Sequence, residues 1–515
     1  MAGASISGLV SGLDSATIVS KLIQVESNPQ TLLKNRQSSE KLAVSALQTV
    51  NAKIASLATK AGALSLAAAW NPLKATSSSS SVTVTVGTGA SPGTTSFTVD
   101  QTARAHRVDF GTTAALDARV TGDGTTLVTL DRLDGTTTQI DTGDGTLSGL
   151  VKAINGSSSG LRASTVKLDD GTYRLSVVST ATGEDSDFTL TRADGSALLG
   201  TVTATAGRDA RITVGPDQVS SSTNTFAGTL LGLDVTIAAG TAVGTQVDVS
   251  VTSDVASMTA QVKAMVDGAN SVLADIDSLT SYNATTKASG ALAGNATVRA
   301  LRNELLDTVS RSADGQTLAT VGVQVDRSGR LSFDEAKFTA AYAADPVAVS
   351  DRFVSKATYT GSGDVATIAS SWKTSPGSYA IESGGGTATV DGVAATVSNT
   401  VFSAATGTRA EGLTFTASDP ASGTLVFTQG LAARLASVAS RASDATDGTV
   451  TGSIKNRTSA IDDLGEQITG WDVRLAARKV SLERQYAALE VALGKLNNQS
   501  SWLSGQIAQL SSSSS

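Results

Sequence analysis

Residues 454–510 read IKNRTSAIDDLGEQITGWDVRLAARKVSLERQYAALEVALGKLNNQSSWLSGQIAQL. Within this stretch Ile454, Ile461, Ile468, Leu475, Leu482, Leu489, Leu496, Leu503 and Leu510 stand seven apart. Leu464, Trp471, Tyr486 and Leu493 widen the stripe. Large aliphatics at this spacing place one apolar seam along a helix. A helix over 454–510 would be roughly 85 Å long at ~1.5 Å per residue. Arg457, Arg478 and Gln485 interrupt the companion positions, which argues against a plain two-stranded zipper and for a looser bundle. Gly465, Gly470 and Gly494 weaken the rod locally.

The other chain end carries a shorter series. Ala43, Leu47, Val50, Ile54, Leu57, Ala61 and Leu64 alternate in steps of four and three, with Leu33 in register further back. Ahead of it, Asp14 or Ser15 can cap a short helix bearing Ile18, Val19, Leu22 and Val25, and Asn28-Pro29 marks a helix restart. The expected architecture is α+β, with a long antiparallel helical coiled-coil stem formed by both chain ends and β-rich head domains inserted into it. Residues 1–42 are expected to be a flexible export or leg segment with one short helix. Residues 43–75 are expected to be the N-terminal stem helix, and 430–515 the C-terminal stem and terminal leg. The C-terminal seam is the longer of the two, so part of it needs another chain or another domain. The plainer alternative is an intramolecular bundle with no assembly role.

Between the ends, 82–250 reads as a β-rich head domain. Val82, Val84 and Val86 alternate, and further threonine-rich strands follow between Gly and Asp turns. A short helix is expected around 147–155. Thr-Gly-Asp-Gly-Thr occurs at 121–125 and at 142–146. Neither copy supplies the acidic ladder of a calcium loop, and both are expected to be hairpin turns. Residues 255–355 return to helical spacing, through Val262, Val266, Leu273 and Leu305. A second β-rich head domain is expected over 357–429. It echoes the first: Pro92 to Val99 resembles Pro376 to Ile381, and Gly232 to Ile237 resembles Gly412 to Ala417.

Composition removes most chemistry. Among 515 residues there is no cysteine and one histidine, so disulfides, thiol catalysis, cysteine-ligated zinc and multi-histidine metal sites are excluded. The net charge is −7, and 70–250 carries 12 basic and 18 acidic residues, so no basic field for nucleic acid is present. No run is long and apolar enough for a membrane span, and Met1 to Leu13 lacks the pattern of a cleaved signal. His106 has no nearby nucleophile, and Asp169-Asp170 and Glu184-Asp185 read as acidic turns. Gly384-Gly385-Gly386 lacks the Lys-Ser/Thr of a phosphate loop. Trp70, Trp372, Trp471 and Trp502 read as packing anchors, with ligand contact the minor alternative for Trp372 in the second head. No catalytic, cofactor-binding or metal-ligating residue is nominated, and no enzyme activity is expected.

Several segments carry a family resemblance. Ile6 to Leu9, Ser11 to Val19 and Leu22 to Pro29 resemble the N-terminus of the flagellar hook-associated protein 2 family, the filament caps. Gly290 to Asn295, Gly322 to Glu335 and Phe338 to Pro346 look like its central part. Leu482 to Glu490 and Leu496 to Leu503 are the most specific match. The β regions agree only in type. The resemblance implies a secreted protein at the distal filament tip, exported through the flagellar apparatus without signal cleavage. It implies a ring-like homo-oligomer, commonly a pentamer, that retains exported flagellin and promotes its folding and insertion. Partners implied are further copies of the chain, flagellin, the hook–filament junction proteins, and an export chaperone with the export apparatus. Host mucin or glycan is a further candidate.

On this basis Leu9, Leu13, Ile18, Leu22 and Leu503 are expected at a leg that meets flagellin or a neighbouring subunit. Leu47, Ile54, Leu475, Leu482 and Leu489 are expected in stem packing. The main alternative is a β-rich surface adhesin with a coiled-coil stalk binding mucin or glycan. An extracellular glycan hydrolase and another axial junction protein are weaker alternatives, the first for want of a carboxylate pair.

Overall fold

The computed structural model describes residues 14–230, 232–310 and 317–512, with side chains to residue 508. Contacts divide the chain into two compact units: Asn71–Asp254, and the segments on either side of it. The fold is α+β, with helices and several separate sheets.

The first helices are α1 (Ser15–Glu26) and α2 (Asn28–Leu64). Only Ser27, itself in helical conformation, separates them. Pro29 fits the first turn of α2, where a missing N–H costs nothing. The helix expected over 43–75 therefore begins at Asn28 and stops at Leu64. Between Pro29 and Ala43 the inward face carries Gln30, Gln37 and Glu40, so apolar spacing alone hides the helix there. At the other end the chain folds back through a 3-10 turn, Ala67–Trp70. The Trp70 indole Nε1 donates to the Leu64 carbonyl at 2.8 Å, one of the acceptors a helix end leaves open.

The unit Asn71–Asp254 contains β1 (Leu73–Ser77), β2 (Val82–Val86), β3 (Gly93–Gln101), β4 (Ala105–Phe110), β5 (Leu127–Asp131), β6 (Thr137–Asp141), α3 (Leu147–Gly156), β7 (Leu161–Lys167), β8 (Tyr173–Thr182), β9 (Thr189–Arg192), β10 (Val202–Thr205), β11 (Ala210–Val214), β12 (Asp217–Ser221), β13 (Thr225–Leu230), β14 (Leu233–Ile237) and β15 (Thr245–Ser253). Two cores fill it. One lies between the sheet β1-β15-β3-β11-β12 and the sheet β13-β14-β2, around Phe97, Val99, Ile212, Phe226, Val235 and Val249. The other lies among β10-β4-β8-β7, β6-β5-β9 and α3, around Phe110, Val128, Leu150, Leu175, Val177 and Phe188. His106 is buried on β4, and its Nδ1 accepts the Phe188 N–H at 2.8 Å.

The two Thr-Gly-Asp-Gly-Thr stretches are not hairpin tips. The β5–β6 hairpin turns at 132–136 instead. Residues 121–125 lead into β5, and 142–146 run from β6 into α3, whose first turn Thr146 caps by accepting from Gly149 N–H at 3.0 Å. Arg119 explains both shapes. Its guanidinium donates to the carbonyls of Gly122 (2.8 Å), Thr125 (2.7 Å) and Asp144 (3.4 Å), so one side chain staples two loops.

After this unit come α4 (Val255–Thr280), a short hairpin of β16 (Tyr282–Asn283) and β17 (Ala288–Ser289), α5 (Ala296–Ser310), a second hairpin of β18 (Val323–Val325) and β19 (Leu331–Phe333), α6 (Glu335–Ala344) and α7 (Pro346–Ser350). A second β module follows: β20 (Ser355–Ser362), β21 (Val365–Ala369), β22 (Gly377–Gly384), β23 (Thr387–Val390), β24 (Val393–Ala394), β25 (Thr396–Ser398), β26 (Val401–Ser403), β27 (Thr414–Ala417) and β28 (Ala421–Gln429). Its sheets, β20-β28-β22-β23-β24 and β21-β27-β26-β25, enclose Tyr379, Ile381, Phe402, Phe415, Leu425 and Phe427. The chain ends with α8 (Leu431–Ser443) and α9 (Thr449–Ser512).

The helices share one core. Leu47, Val50, Ile54, Leu57, Ala61 and Leu64 of α2 are buried with Val262, Met265 and Leu273 of α4, Leu305 of α5, and Leu435 and Ala439 of α8. Of α9, only Val450 and part of Ile454 join them. The 43–64 stripe is thus covered mainly by α4 and α8, not by the C-terminal seam, because α9 lies along the first half of α2, from Glu40 back to Gln30. Trp70 closes one side, its ring 4.7 Å from Phe353, while its carbonyl accepts from the Tyr342 hydroxyl at 2.6 Å. Trp70→Ala should cost about 3–5 kcal/mol through the cavity it leaves. The check is the loss of far-UV helical signal in urea, where a midpoint equal to that of the parent chain would refute it.

Candidate functional site

The two chain ends meet along α9. Helices α2 and α9 run antiparallel, as their cross-links show. Gln30 is buried, and its Nε2 donates to the Ile468 carbonyl (3.3 Å) and to the Asp472 carboxylate (2.5 Å). Gln37 Nε2 donates to the Ile461 carbonyl at 3.1 Å. The Arg457 guanidinium meets Glu40 at 2.5 Å, and Arg478 meets Glu26 at 3.0 Å. As the position rises along the first helices, the partner on α9 falls. Arg457 and Arg478, which interrupt the heptad seam, are therefore half of a ladder of polar cross-links. Sequence reasoning missed the other half. The available signal was that Glu40 stands seven residues before Leu47, in step with the apolar stripe, and that Gln30 and Gln37 stand seven apart on the neighbouring row.

Apolar packing accompanies this ladder. Leu464 and Leu482 are buried, and Ile461, Ile468, Trp471 and Leu475 are half-buried. Helix α1 packs on α9, and its Val19 is buried. Asp14 caps α1. The Thr17 hydroxyl first, and then the Thr17 backbone N–H at 3.0 Å, hold the Asp14 carboxyl below the usual carboxylate range. Such a lowered group helps the helix above its unfolded value, and that help is lost as pH falls through its folded value.

Beyond Leu482 most of the large apolar side chains stand exposed among the described residues, with Tyr486 and Leu493 half-buried. Leu489 is 45% exposed, Leu496 59% and Leu503 54%, and Val491, Trp502 and Ile507 are exposed with them. On the opposite strand of the pair Leu22 is exposed and Ile18 half-buried. Of the ten nominated residues, Leu47 and Ile54 lie in the core with α4 and α8, while Leu475 and Leu482 lie along the α1–α2–α9 contact. Leu489 and Leu503 stand on the uncovered face, and Leu9 and Leu13 lie outside the described residues.

The sequence matches the family model for the N-terminus of flagellar hook-associated protein 2 over residues 11–106 and the model for its C-terminus over 207–498. The chain belongs to the flagellar hook-associated protein 2 family. The family member from Escherichia coli strain K12 is 30% identical over 387 residues, covering 70% of this chain and 82% of that protein. The lateral flagellar hook-associated protein 2 of Vibrio parahaemolyticus is 30% identical over 265 residues, covering 47% of this chain and 59% of that one. The fold is similar to the crystal structure of the flagellar cap protein FliD D1-D2-D3 domains from Escherichia coli, with a TM-score of 0.52 at 22% identity over 80% of this chain and 99% of that one. For this member of the hook-associated protein 2 family, the matched segments contain α1, α2 and α9 up to residue 498, so they include the whole polar ladder.

Among the described residues no group of three or more His, Cys, Asp or Glu side chains is placed to hold a metal, and no helix is long and apolar enough to cross a membrane. What the surface offers is cohesion rather than chemistry. Leu482→Asp buries an unpaired charge and should lower stability by about 3 kcal/mol. Leu489→Asp, at an exposed position, should change it by under about 0.5 kcal/mol. Thermal unfolding followed at 222 nm compares the two, and equal effects would contradict the boundary drawn at Leu482.

Proposed function

We propose that this chain caps the flagellar filament, secreted to its distal tip, where it retains exported flagellin and promotes its folding and insertion. Its role is structural, with no catalytic step. The observation that carries the reading is the apolar face of α9 beyond Leu482, which stands exposed among the described residues. A cap must hold the growing end and yet move on as each subunit enters. A run of single exposed aliphatics on a helix gives contacts of modest area, which form and break readily.

In this reading α1, α2 and α9 make a long antiparallel stem. Leu9, Leu13, Ile18, Leu22 and Leu503 form the leg that meets flagellin or a neighbouring subunit, and the β modules make the head. The chains associate as a ring, taken as a pentamer from the family resemblance. The hook–filament junction proteins, an export chaperone and the export apparatus are the remaining partners.

The test is an in-frame deletion in the flagellated host, complemented with the parent chain, Leu489→Asp or Leu503→Asp. The deletion should give short or absent filaments and abundant free flagellin in the medium, reversed by the parent chain. Each variant should be exported and folded like the parent, yet leave filament length reduced severalfold. Normal filaments in the deletion strain would sink the capping role. Normal filaments with both variants would sink the assignment of the exposed α9 face.

A further inference from the structure

The identical pentapeptides Thr-Gly-Asp-Gly-Thr at 121–125 and 142–146 sit in different surroundings. In the second copy the Asp144 carboxylate is held. Its Oδ1 accepts from the Thr146 N–H at 2.9 Å and from the Thr146 hydroxyl at 2.7 Å. These bonds, the backbone one first, keep the carboxyl below the usual carboxylate range. The next nitrogen is held as well, since Gly145 N–H donates to the Thr142 hydroxyl at 3.0 Å. Gly145 is also crowded. A Cβ placed on it would fall 2.6 Å from the Thr121 hydroxyl oxygen and 3.0 Å from the Arg119 guanidinium carbon.

The first copy is open at the same atoms. Asp123 and Gly124 are both exposed. Among the described residues, the Asp123 carboxylate has no hydrogen-bond or ion-pair partner, and the Gly124 N–H has none either. A Cβ on Gly124 would meet nothing within 4 Å. Other Asp-Gly pairs in surface turns resemble the second copy. Asp134, Asp170 and Asp194 each accept from the N–H and the hydroxyl two residues further on. Asp123 stands apart from them in chemistry, though not in sequence.

We propose that Asp123 is a site of spontaneous isoaspartate formation, and that the fold protects the identical Asp144 from the same reaction. The Gly124 backbone nitrogen attacks Asp123 Cγ. An N–C bond forms, a carboxyl C–O bond breaks, and the amide proton leaves with the hydroxyl as water. Glycine favours the step because no Cβ shields its nitrogen. The five-membered succinimide then takes up water at one of its two carbonyls. Opening at Cγ restores aspartate. Opening at the α-carbonyl leaves the main chain running through Cβ and Cγ, longer by one methylene. The net composition is unchanged, and water is the only co-reactant. The added methylene falls between the Gly122 and Thr125 carbonyls that Arg119 holds together, so the modified loop no longer fits that staple. At Asp144 the same attack first requires the carboxylate and the Gly145 N–H to give up their partners.

The test keeps the full, folded chain in neutral buffer for several weeks. Isoaspartate is then labelled with an isoaspartyl methyltransferase and located by peptide mass spectrometry. Asp123 should accumulate it at least about tenfold faster than Asp144, Asp134, Asp170 or Asp194, the cost of breaking hydrogen bonds to a carboxylate. In concentrated urea the five sites should react within about threefold of one another. Asp123→Glu, at an exposed position, should remove the label from that peptide, because the longer side chain does not close the five-membered ring. Equal rates in the folded chain, or a held site that leads, would overturn the proposal. So would the same lead for Asp123 in urea, which would trace it to sequence and not to fold, or a label that survives Asp123→Glu.

Discussion

The apolar stripe from Leu47 to Leu64 on α2 has to be covered, and no adjacent stretch of chain covers it. Leu47, Val50, Ile54, Leu57 and Leu64 are essentially inaccessible to water. At roughly 1.5–3 kcal/mol for each large side chain removed from water, they bring a gross stabilisation of about 10 kcal/mol, comparable to the net stability of a whole domain. The helices that provide the cover, α4 and α8, come only after a β module each. The fold therefore depends on both modules handing the chain back close to where they took it. They do so by pairing first and last strands: β1 lies beside β15, and β20 beside β28. Large detours can sit between helices because their ends are neighbours in one sheet, and the closure cost of a long loop rises only slowly with its length.

Much of this was legible in the sequence where one kind of residue carried one kind of period. The heptad aliphatics announced α9, and alternating valine and threonine announced β2 and β15. The echo between Pro92 to Val99 and Pro376 to Ile381 falls on β3 and β22, each of which pairs with the last strand of its own module, β15 and β28. The start of α2 was legible as the Asn28-Pro29 restart, but its run from there to Ala43 was not read as part of the stem helix. Its inward positions before Ala43 are mostly amides and a carboxylate, with Leu33 alone apolar among them, and a hydrophobic pattern is thin there. The Thr-Gly-Asp-Gly-Thr loops were misread for a related reason. Gly and Asp permit a hairpin, but Arg119 and the cap at Thr146 decide the shape, and neither is local to both loops. The pairing of Arg457 and Arg478 with Glu40 and Glu26 needed the antiparallel register, which no single segment contains.

Along α9 the division between polar and apolar contact has a physical consequence. Ion pairs at half-exposed positions contribute little, about 0–1 kcal/mol each. The buried amide of Gln30 matters for another reason. It bonds a helix carbonyl and the Asp472 carboxylate at one place on α9, and sliding the helices by a turn would take it away from that carboxylate. A polar group at a seam position sets register at some cost in cohesion. The first half of α9 is thus held at one setting against α2. The second half, from Leu489 onward, presents exposed aliphatics and Trp502. Apolar contact is non-directional, and a face made of it accepts more than one register. A helix fixed at one end and permissive at the other can keep its place in its own fold while its free end changes neighbours. In the capping role proposed above, such a free end would release one neighbour and meet the next, where a latch at both ends would resist the exchange.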